Sequence, residues 1–213
     1  MRVRKKTWTP TVIQEAKEQN LLIEHPSQFK GKWKKILQTD TLHVEIGAGK
    51  GDYFVEMSSL YPTIGWVAIE KDMHVAAYAL RKSFGVVLNN GKFIIDDANL
   101  IDEWFEENEI DTLHLNFSDP WPKKAHHKRR LTTPDFAVKY QKLLKNQGQI
   151  ILKTDNAAFF EDSLVVLTKT FQMEDVWVNY RQQAHPEDAI TEYEQRFIEL
   201  NQPIYRVIWR NNK

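Results

Sequence analysis

The segment TLHVEIGAGKG, residues 41–51, decides the predicted fold. Its first six residues are mostly apolar and rich in β-forming side chains, which predicts a short strand. Three glycines follow at alternate positions, and from Asp52 onward the apolar residues recur with helical spacing. A strand, a glycine loop and a helix in this order are typical of a nucleotide-binding loop. Glycine lets a ligand lie against bare backbone, and the helix N-terminus offers N–H donors.

The glycine spacing and the nearby acids indicate which kind of ligand this loop binds. Gly47, Gly49 and Gly51 form GxGxG, which differs from the GxGxxG of dinucleotide-binding proteins. Glu45, two residues before the first glycine, suits a ligand with a cationic amine better than a pyrophosphate, because like charges repel. Glu70 closes the next predicted strand, where an acid would accept ribose hydroxyls; a helix-capping acid is the alternative. Together these residues predict a nucleoside site.

A third predicted strand, residues 92–96, runs into Asp97 and Ala98. An aspartate at this strand end could bind the exocyclic amine of an adenine, with Ala98 beside the ring. An ordinary turn or helix cap explains the same residues equally well, since aspartate favours both.

The wider chain alternates strand and helix signals, which predicts an α/β fold with a mostly parallel sheet and helices on both faces. The predicted strands lie near 42–46, 64–69, 92–96, 112–118 and 148–153; the helices lie near 51–60, 72–84, 99–108, 133–145 and 157–170. Residues 176–180 and 204–210 are β-like without a helix between them, which predicts an antiparallel end. Residues 182–202 are predicted as a long functional loop with at most one helical turn. Because ligands bind beyond the carboxyl ends of parallel strands, five acids should converge there: Glu45, Glu70, Asp97, Asp119 and Asp155.

Length and composition limit the number of domains, the chemistry and the location that we expect. The 213 residues suffice for one core, with an expected N-terminal arm over 1–40 (a short helix near 12–19) and a single domain over 41–213. There is no cysteine, so disulfides and thiolate metal sites are excluded. The basic first residues lack a signal peptide's apolar core and no stretch could span a membrane, so we expect a cytoplasmic protein.

The segment LNFSDPWPKKAHHKRRL, residues 115–131, places an anion, an aromatic plane and several cations in one loop. These groups can hold a nucleobase and its phosphates, although a solvated basic loop is the usual reading of a charge run. The alternative for the tryptophan is a buried anchor, and for the last arginine a structural role. Two adjacent histidines do not suggest a metal site among so many cations. The candidate RNA contacts are Trp121, Lys124, Lys128, Arg129 and Arg130.

These motifs resemble those of the bacterial tRNA (guanine-N7)-methyltransferases, class I enzymes that use S-adenosylmethionine to methylate a guanosine at tRNA position 46. The resemblance spans residues 45–197 and is carried by EIGAGKG at 45–51, Glu70, Asp97-Ala98, the 117–131 block, Thr154-Asp155 and TEYE at 191–194. The 117–131 block is highly specific, whereas most class I methyltransferases share GxGxG. Ser118 and Ala125 depart from the family pattern, where proline and arginine are common.

The resemblance implies a role for each matching residue. The expected cofactor contacts are Glu45, Gly47, Gly49, Gly51, Glu70, Asp97, Ala98 and Asp119. Asp119 is also the expected catalytic residue. The expected substrate contacts are Lys123, Asp155, Thr191, Glu192, Tyr193 and Glu194. The implied cofactor is S-adenosylmethionine and the implied partner is tRNA, with no metal, no membrane, and a monomer or homodimer.

Three other readings fit parts of the sequence. A class I methyltransferase acting on another RNA, a protein or a small molecule would explain the cofactor motifs but not the basic block. A dehydrogenase fits poorly because the glycine spacing differs and Glu45 would face a pyrophosphate. A non-catalytic RNA-binding relic of the fold is the third, and loss of cofactor affinity would distinguish it.

Overall fold

A computed structural model describes residues 5–86 and 88–213 of the chain. The chain divides into two compact units. Unit 1 consists of Met1–Glu106 with the short segment Glu187–Ala189, and unit 2 of Glu107–Pro186 with Ile190–Lys213.

Unit 1 contains four parallel strands: β1 Leu22–Ile23, β2 Thr41–Ile46, β3 Ile64–Ile69 and β4 Gly91–Ile94. They are hydrogen-bonded in the order β1-β4-β3-β2. Most of their residues are buried, as expected for parallel strands with both faces covered. Their carboxyl ends therefore share one edge, and the loops beyond that edge carry most of the predicted cofactor contacts of unit 1.

The helices of unit 1 are α1 Thr9–Glu18, α2 Trp33–Leu37, α3 Asp52–Leu60, α4 Met73–Ser83 and α5 Ile101–Trp104. Two 3₁₀ turns, Pro26–Phe29 and Ala98–Leu100, complete the unit. Local sequence explains the helix starts. Asp72 caps α4 by accepting hydrogen bonds from the N–H groups of His74 and Val75. Gly51, in a left-handed conformation, precedes α3.

The described residues before β2 are integrated into unit 1. Ala16 and Trp33 are fully buried, and β1 pairs with β4. The Trp33 indole donates to the carbonyl oxygen of Trp104 over 2.8 Å and stacks on Phe105. The predicted helix near 12–19 is found as α1. The division into an arm over 1–40 and a domain from 41 stays a prediction, and residues 1–4 lie outside the described part.

Unit 2 contains strands β5 Ile110–Asn116, β6 Leu144–Thr154, β7 Gln172–Trp177 and β8 Tyr205–Arg210. β5 and β6 are parallel, whereas β8 is antiparallel to both β6 and β7. Its helices are α6 Pro134–Leu143, α7 Ala157–Leu167 and α8 Glu192–Glu199, with 3₁₀ turns at Lys124–Arg129 and Tyr180–Gln182.

The predicted α/β class with mostly parallel strands and an antiparallel C-terminal end is confirmed. Two local predictions were wrong. The helix predicted over 99–108 is α5, which ends at Trp104 because Phe105 has extended backbone. The segment predicted as a loop contains α8, a helix of eight residues. Within the described residues, no helix is long and apolar enough to cross a membrane.

Candidate active site

The glycine loop between β2 and α3 has left-handed backbone at all three glycines, with φ of +79° at Gly47, +57° at Gly49 and +78° at Gly51. A Cβ added at Gly51 would lie 2.5 Å from the Cβ of Ala79, so packing against α4 requires glycine there. A Cβ added at Gly47 would meet nothing within 4 Å. The first glycine therefore leaves open space beside its backbone, as a bound nucleoside needs.

Hydrogen bonds fix this loop to the end of β3. The N–H groups of Gly47 and Ala48 donate to the carbonyl oxygen of Ile69 over 2.8 and 3.0 Å. Glu70 accepts from Gly49 N–H over 3.1 Å and from Asp72 N–H over 2.9 Å. Burial raises the pKa of the Glu70 carboxyl, and the two N–H donors partly oppose that shift. Each carboxylate oxygen can accept a further bond, so Glu70 can hold the loop and bind hydroxyls together.

The other predicted cofactor contacts of unit 1 lie at the same strand ends. Glu45 is buried in β2, paired in register with Ala68 of β3. Asp97 is exposed beyond β4, and its Oδ1 accepts from the backbone and side-chain nitrogens of Asn99. Ala98 is buried. Unit 1 therefore brings the glycine loop and three acids to one edge, and Asp97 also has the capping role that its sequence allowed.

In unit 2, Asp119 lies three residues beyond a strand that is buried at every position. Phe117 has a φ of +50°, and its N–H donates to the carbonyl oxygen of Lys153 over 2.8 Å. This turn leaves Asp119 exposed to solvent. Among the described residues, no hydrogen bond or ion pair engages its carboxylate. The loop therefore presents an uncommitted anion.

The basic loop that follows Asp119 forms a 3₁₀ turn, Lys124–Arg129. The side chains of Lys123, Lys124, Lys128 and Arg129 are exposed. The guanidinium of Arg129 lies 4.9 Å from the ring centroid of Trp121, and His126 meets that ring edge-on. The tryptophan is only half-buried, so part of its ring surface is accessible.

Arg130 differs from its neighbours because it is buried. Its guanidinium donates to the carbonyl oxygen of Pro120 over 2.7 Å and to Asp162 over 2.6 Å. It also lies over the ring of Phe159. These contacts favour the structural role that the sequence left open for Arg130, since a side chain committed in this way has little freedom to bind phosphate.

Among the predicted substrate contacts, Asp155 lies just beyond the C-terminal end of β6, and residues 191–194 lie at the start of α8. Asp155 is half-buried, and this burial raises the pKa of its carboxyl. Thr191 and Glu194 form a capping box at the start of α8. Glu192 and Tyr193 are exposed, whereas Glu194 is fully buried. Tyr193 packs near Phe117, with ring centroids 5.9 Å apart.

Comparison with known proteins identifies the family. A family model described as "Putative methyltransferase" matches residues 39–207. A protein of Lactiplantibacillus plantarum is 43% identical over 211 residues, covering 98% of this chain and 97% of its own length. One of Limosilactobacillus reuteri is 41% identical, covering 98% of both chains. Both are named tRNA (guanine-N(7)-)-methyltransferase. This chain belongs to that family.

Solved structures of other methyltransferases share the fold of this tRNA (guanine-N(7)-)-methyltransferase family member. The 16S rRNA methyltransferase KamB aligns with a TM-score of 0.65 at 10% identity, covering 86% of this chain and 94% of its own. An antibiotic-related methyltransferase aligns with a TM-score of 0.63 at 18% identity, covering 84% and 93%. At these identities the likeness shows the fold alone.

Sequence reasoning missed two charged residues beside the predicted substrate contacts of this family member. Lys153 is fully buried within β6 and binds Glu194, as does Arg181. The strand-like sequence around Lys153 gave no sign that its ammonium group would be buried. The motif Thr191-x-x-Glu194 did carry a signal, since a capping box predicts a helix start. Within residues 5–86 and 88–213, no three acid or histidine side chains cluster as metal ligands.

Proposed function

We propose that this protein is a tRNA (guanine(46)-N7)-methyltransferase that transfers a methyl group from S-adenosylmethionine to N7 of a guanosine in the tRNA variable loop. The observation that carries the proposal is the exposed, uncommitted carboxylate of Asp119, followed at once by an exposed basic loop. Full-length relatives named tRNA (guanine-N(7)-)-methyltransferase support the reaction, and the family resemblance supplies position 46.

The residues of unit 1 fit S-adenosylmethionine. The open space beside Gly47 leaves room for a ligand against the backbone, and we assign the ribose hydroxyls to Glu70, just beyond β3. Buried Glu45 supplies a negative charge for the cationic amine of the methionine moiety. Asp97 and Ala98 are assigned to the adenine. The cofactor, when bound, supplies a methyl group on a positively charged sulfur.

The acceptor needs no base, because the N7 lone pair of guanine is free at neutral pH. The protein must instead align the acceptor with the methyl group and exclude water. Positive charge moves onto the purine as the new bond forms, and the carboxylate of Asp119 stabilises it. Asp119 also orients the ring by accepting from its N–H edge. We therefore assign Asp119 positioning and electrostatic stabilisation, without proton abstraction.

The basic loop binds the RNA around the target base. Lys123, Lys124, Lys128 and Arg129 hold phosphates, which makes tRNA binding salt-dependent. Trp121 offers a surface on which the target base or its neighbour stacks. Asp155, Thr191, Glu192 and Tyr193 complete the acceptor contacts. As a tRNA-modifying enzyme, the protein works in the cytoplasm, as a monomer or homodimer.

The test is methyl transfer from labelled S-adenosylmethionine to unmodified tRNA, followed by digestion and identification of the modified nucleoside. The proposal predicts 7-methylguanosine in the variable-loop fragment, and no product when that guanosine is replaced by adenosine. Tight cofactor binding without any transfer to tRNA would contradict the proposal and favour another methyl acceptor. Loss of cofactor binding would favour a non-catalytic relic.

A further inference from the structure

Glu194 is fully buried, although its neighbours Glu192 and Tyr193 are exposed. Its Oε2 accepts from the ammonium group of Lys153 over 3.1 Å, and its Oε1 from Nε of Arg181 over 2.6 Å. Oε2 also accepts from the N–H of Thr191, completing the capping box. Both carboxylate oxygens of Glu194 are therefore bound by groups of the protein itself.

Lys153 connects three segments that carry predicted acceptor contacts. Its ammonium group binds Glu194 at the first turn of α8. Its backbone carbonyl accepts from Phe117 N–H, two residues before Asp119. It lies in β6 two residues before Asp155. One buried residue therefore joins the Asp119 loop, the end of β6 and the start of α8.

Arg181 holds the other side of the same carboxylate. Its guanidinium lies 4.8 Å from the ring centroid of Tyr180, whose N–H donates to the carbonyl oxygen of Ile204 just before β8. Because Arg181 also binds Glu194, it joins the 3₁₀ turn at Tyr180–Gln182 to the first turn of α8. α8 is thereby fixed to β6 and to this turn by two cations with buried side chains that share one anion.

We propose that Lys153 and Arg181 are positioning residues, which hold Glu194 so that the segment Thr191–Tyr193 keeps a fixed place relative to Asp119. This inference rests on the proposed function, which assigns the segment Thr191–Tyr193 to binding of the acceptor RNA. Ring contacts agree with it, since Phe117 stacks with Phe197 of α8 at an interplanar angle of 6°. Glu194 then positions the acceptor site from inside the protein. This role replaces its assignment as a substrate contact.

The first test is Lys153→Met, compared with Lys142→Met as a control for loss of a lysine. Lys142 forms an exposed ion pair with Glu107, and neither residue is among the predicted site residues. Because a displaced acceptor loses alignment, we expect Lys153→Met to lower kcat about 100-fold. KM for tRNA, set mainly by the phosphate contacts, and Kd for S-adenosylmethionine, set mainly in unit 1, should change less than about threefold. Unchanged kcat, or a rise in KM alone, would overturn the proposal.

A double variant separates indirect positioning from direct RNA contact. Glu194→Gln leaves Lys153 and Arg181 without the carboxylate that both bind, so it should lower kcat more than Lys153→Met does. Adding Lys153→Met removes one of those cations, and we expect kcat to recover at least about fivefold relative to Glu194→Gln alone. If Glu194 contacts RNA directly, removal of Lys153 brings no recovery and the proposal is wrong.

Hydrogen exchange tests the positioning without using the activity. In Lys153→Met, the backbone amides of Glu194 and Gln195 should exchange faster than in the wild type, while those of α6 are unchanged. Equal protection at α8 would overturn the proposal even if the wild type methylates tRNA. Absence of methylation by the wild type, with faster exchange in the variant, would reject the proposed function alone. If Lys153→Met does not fold, Arg181→Met is measured in the same way, with the same outcomes.

Discussion

The N–H of Phe117 donates to the carbonyl oxygen of Lys153 over 2.8 Å, at the point where β5 ends and the Asp119 loop begins. Phe117 has left-handed backbone, which turns the chain immediately after a fully buried strand. The carboxylate of Asp119 is therefore exposed, yet it stands two residues from a fixed point. The backbone is thus fixed close to Asp119, while its carboxylate stays available to a bound base, as the proposed function requires.

Asp119→Asn should remove this charge while keeping the size of the side chain. We expect kcat to fall about 100-fold, within the range for loss of one electrostatic contact to a transition state. The Kd values for tRNA and S-adenosylmethionine should change less than about threefold. Single-turnover methylation and equilibrium binding provide the measurements, with exposed Asp135→Asn as the control. Undiminished turnover would remove Asp119 from the mechanism.

Two glycines of the same loop should respond differently to alanine. At Gly51 the new Cβ would lie 2.5 Å from that of Ala79 on left-handed backbone, so we expect a loss of about 3 kcal/mol in unfolding free energy. Gly47→Ala meets only the backbone penalty, about 1 kcal/mol, but places a methyl group in the open space. Urea unfolding and cofactor titration should therefore show a larger stability loss at Gly51 and a selective affinity loss at Gly47. Full cofactor affinity in Gly47→Ala would place the ligand elsewhere.

The arginine and lysine side chains of the basic loop should separate into two groups. Arg130→Met removes a buried guanidinium from Pro120 and Asp162, so we expect about 2 kcal/mol lower unfolding free energy. Lys128→Met should leave stability within about 0.5 kcal/mol, because the side chain is exposed. It should instead lower the slope of log K for tRNA binding against log salt by about one unit. Identical behaviour of the two variants in both measurements would refute this division.

Asp155 should lower the free energy of unfolding of the protein as pH rises. Its folded pKa lies above the ordinary value of about 3.9, so between those two values the folded protein keeps a proton that the unfolded chain has lost. Stability from this residue is therefore lost as pH rises through the folded pKa. Asp155→Asn should gain stability relative to the wild type at pH 7 but not at pH 3.5, while its methylation rate falls.

The control for Asp155→Asn is Asp135→Asn in the first turn of α6. There an acid interacts favourably with the helix dipole, so its loss should lower stability slightly. The measurement is urea unfolding of all three proteins at both pH values. A stability difference between Asp155→Asn and the wild type that does not change with pH would show that desolvation of this carboxyl is unimportant.

Sequence patterns predicted most of the sheet because its strands are apolar runs ended by glycine, proline or acidic residues. The antiparallel end was predictable for a related reason, since no helix pattern joins residues 176–180 to 204–210. The loop prediction over residues 182–202 was wrong where α8 lies. The segment is polar, and its only helix signal is the capping box of Thr191 and Glu194.

The site residues at the strand ends could be predicted from the sequence, but the buried ion pairs beside them could not. Glu45, Glu70 and Asp119 follow strands, so their placement follows from α/β topology. Burial of Lys153 and Arg130 depends on partners distant in the chain, Glu194 and Asp162, and no local spacing reports such pairs. Only the three-dimensional structure distinguishes these buried cations from the exposed ones beside them.

If guanine N7 in the variable loop is the methyl acceptor, changing that one atom of the tRNA should abolish the reaction. A tRNA with 7-deazaguanosine at position 46 replaces that nitrogen by C–H and keeps every other group of the base. We predict binding within about threefold of the normal tRNA and no methyl transfer, because the nucleophile is absent. Methylation of the 7-deaza tRNA at the normal rate would show that N7 of this guanosine is not the methyl acceptor.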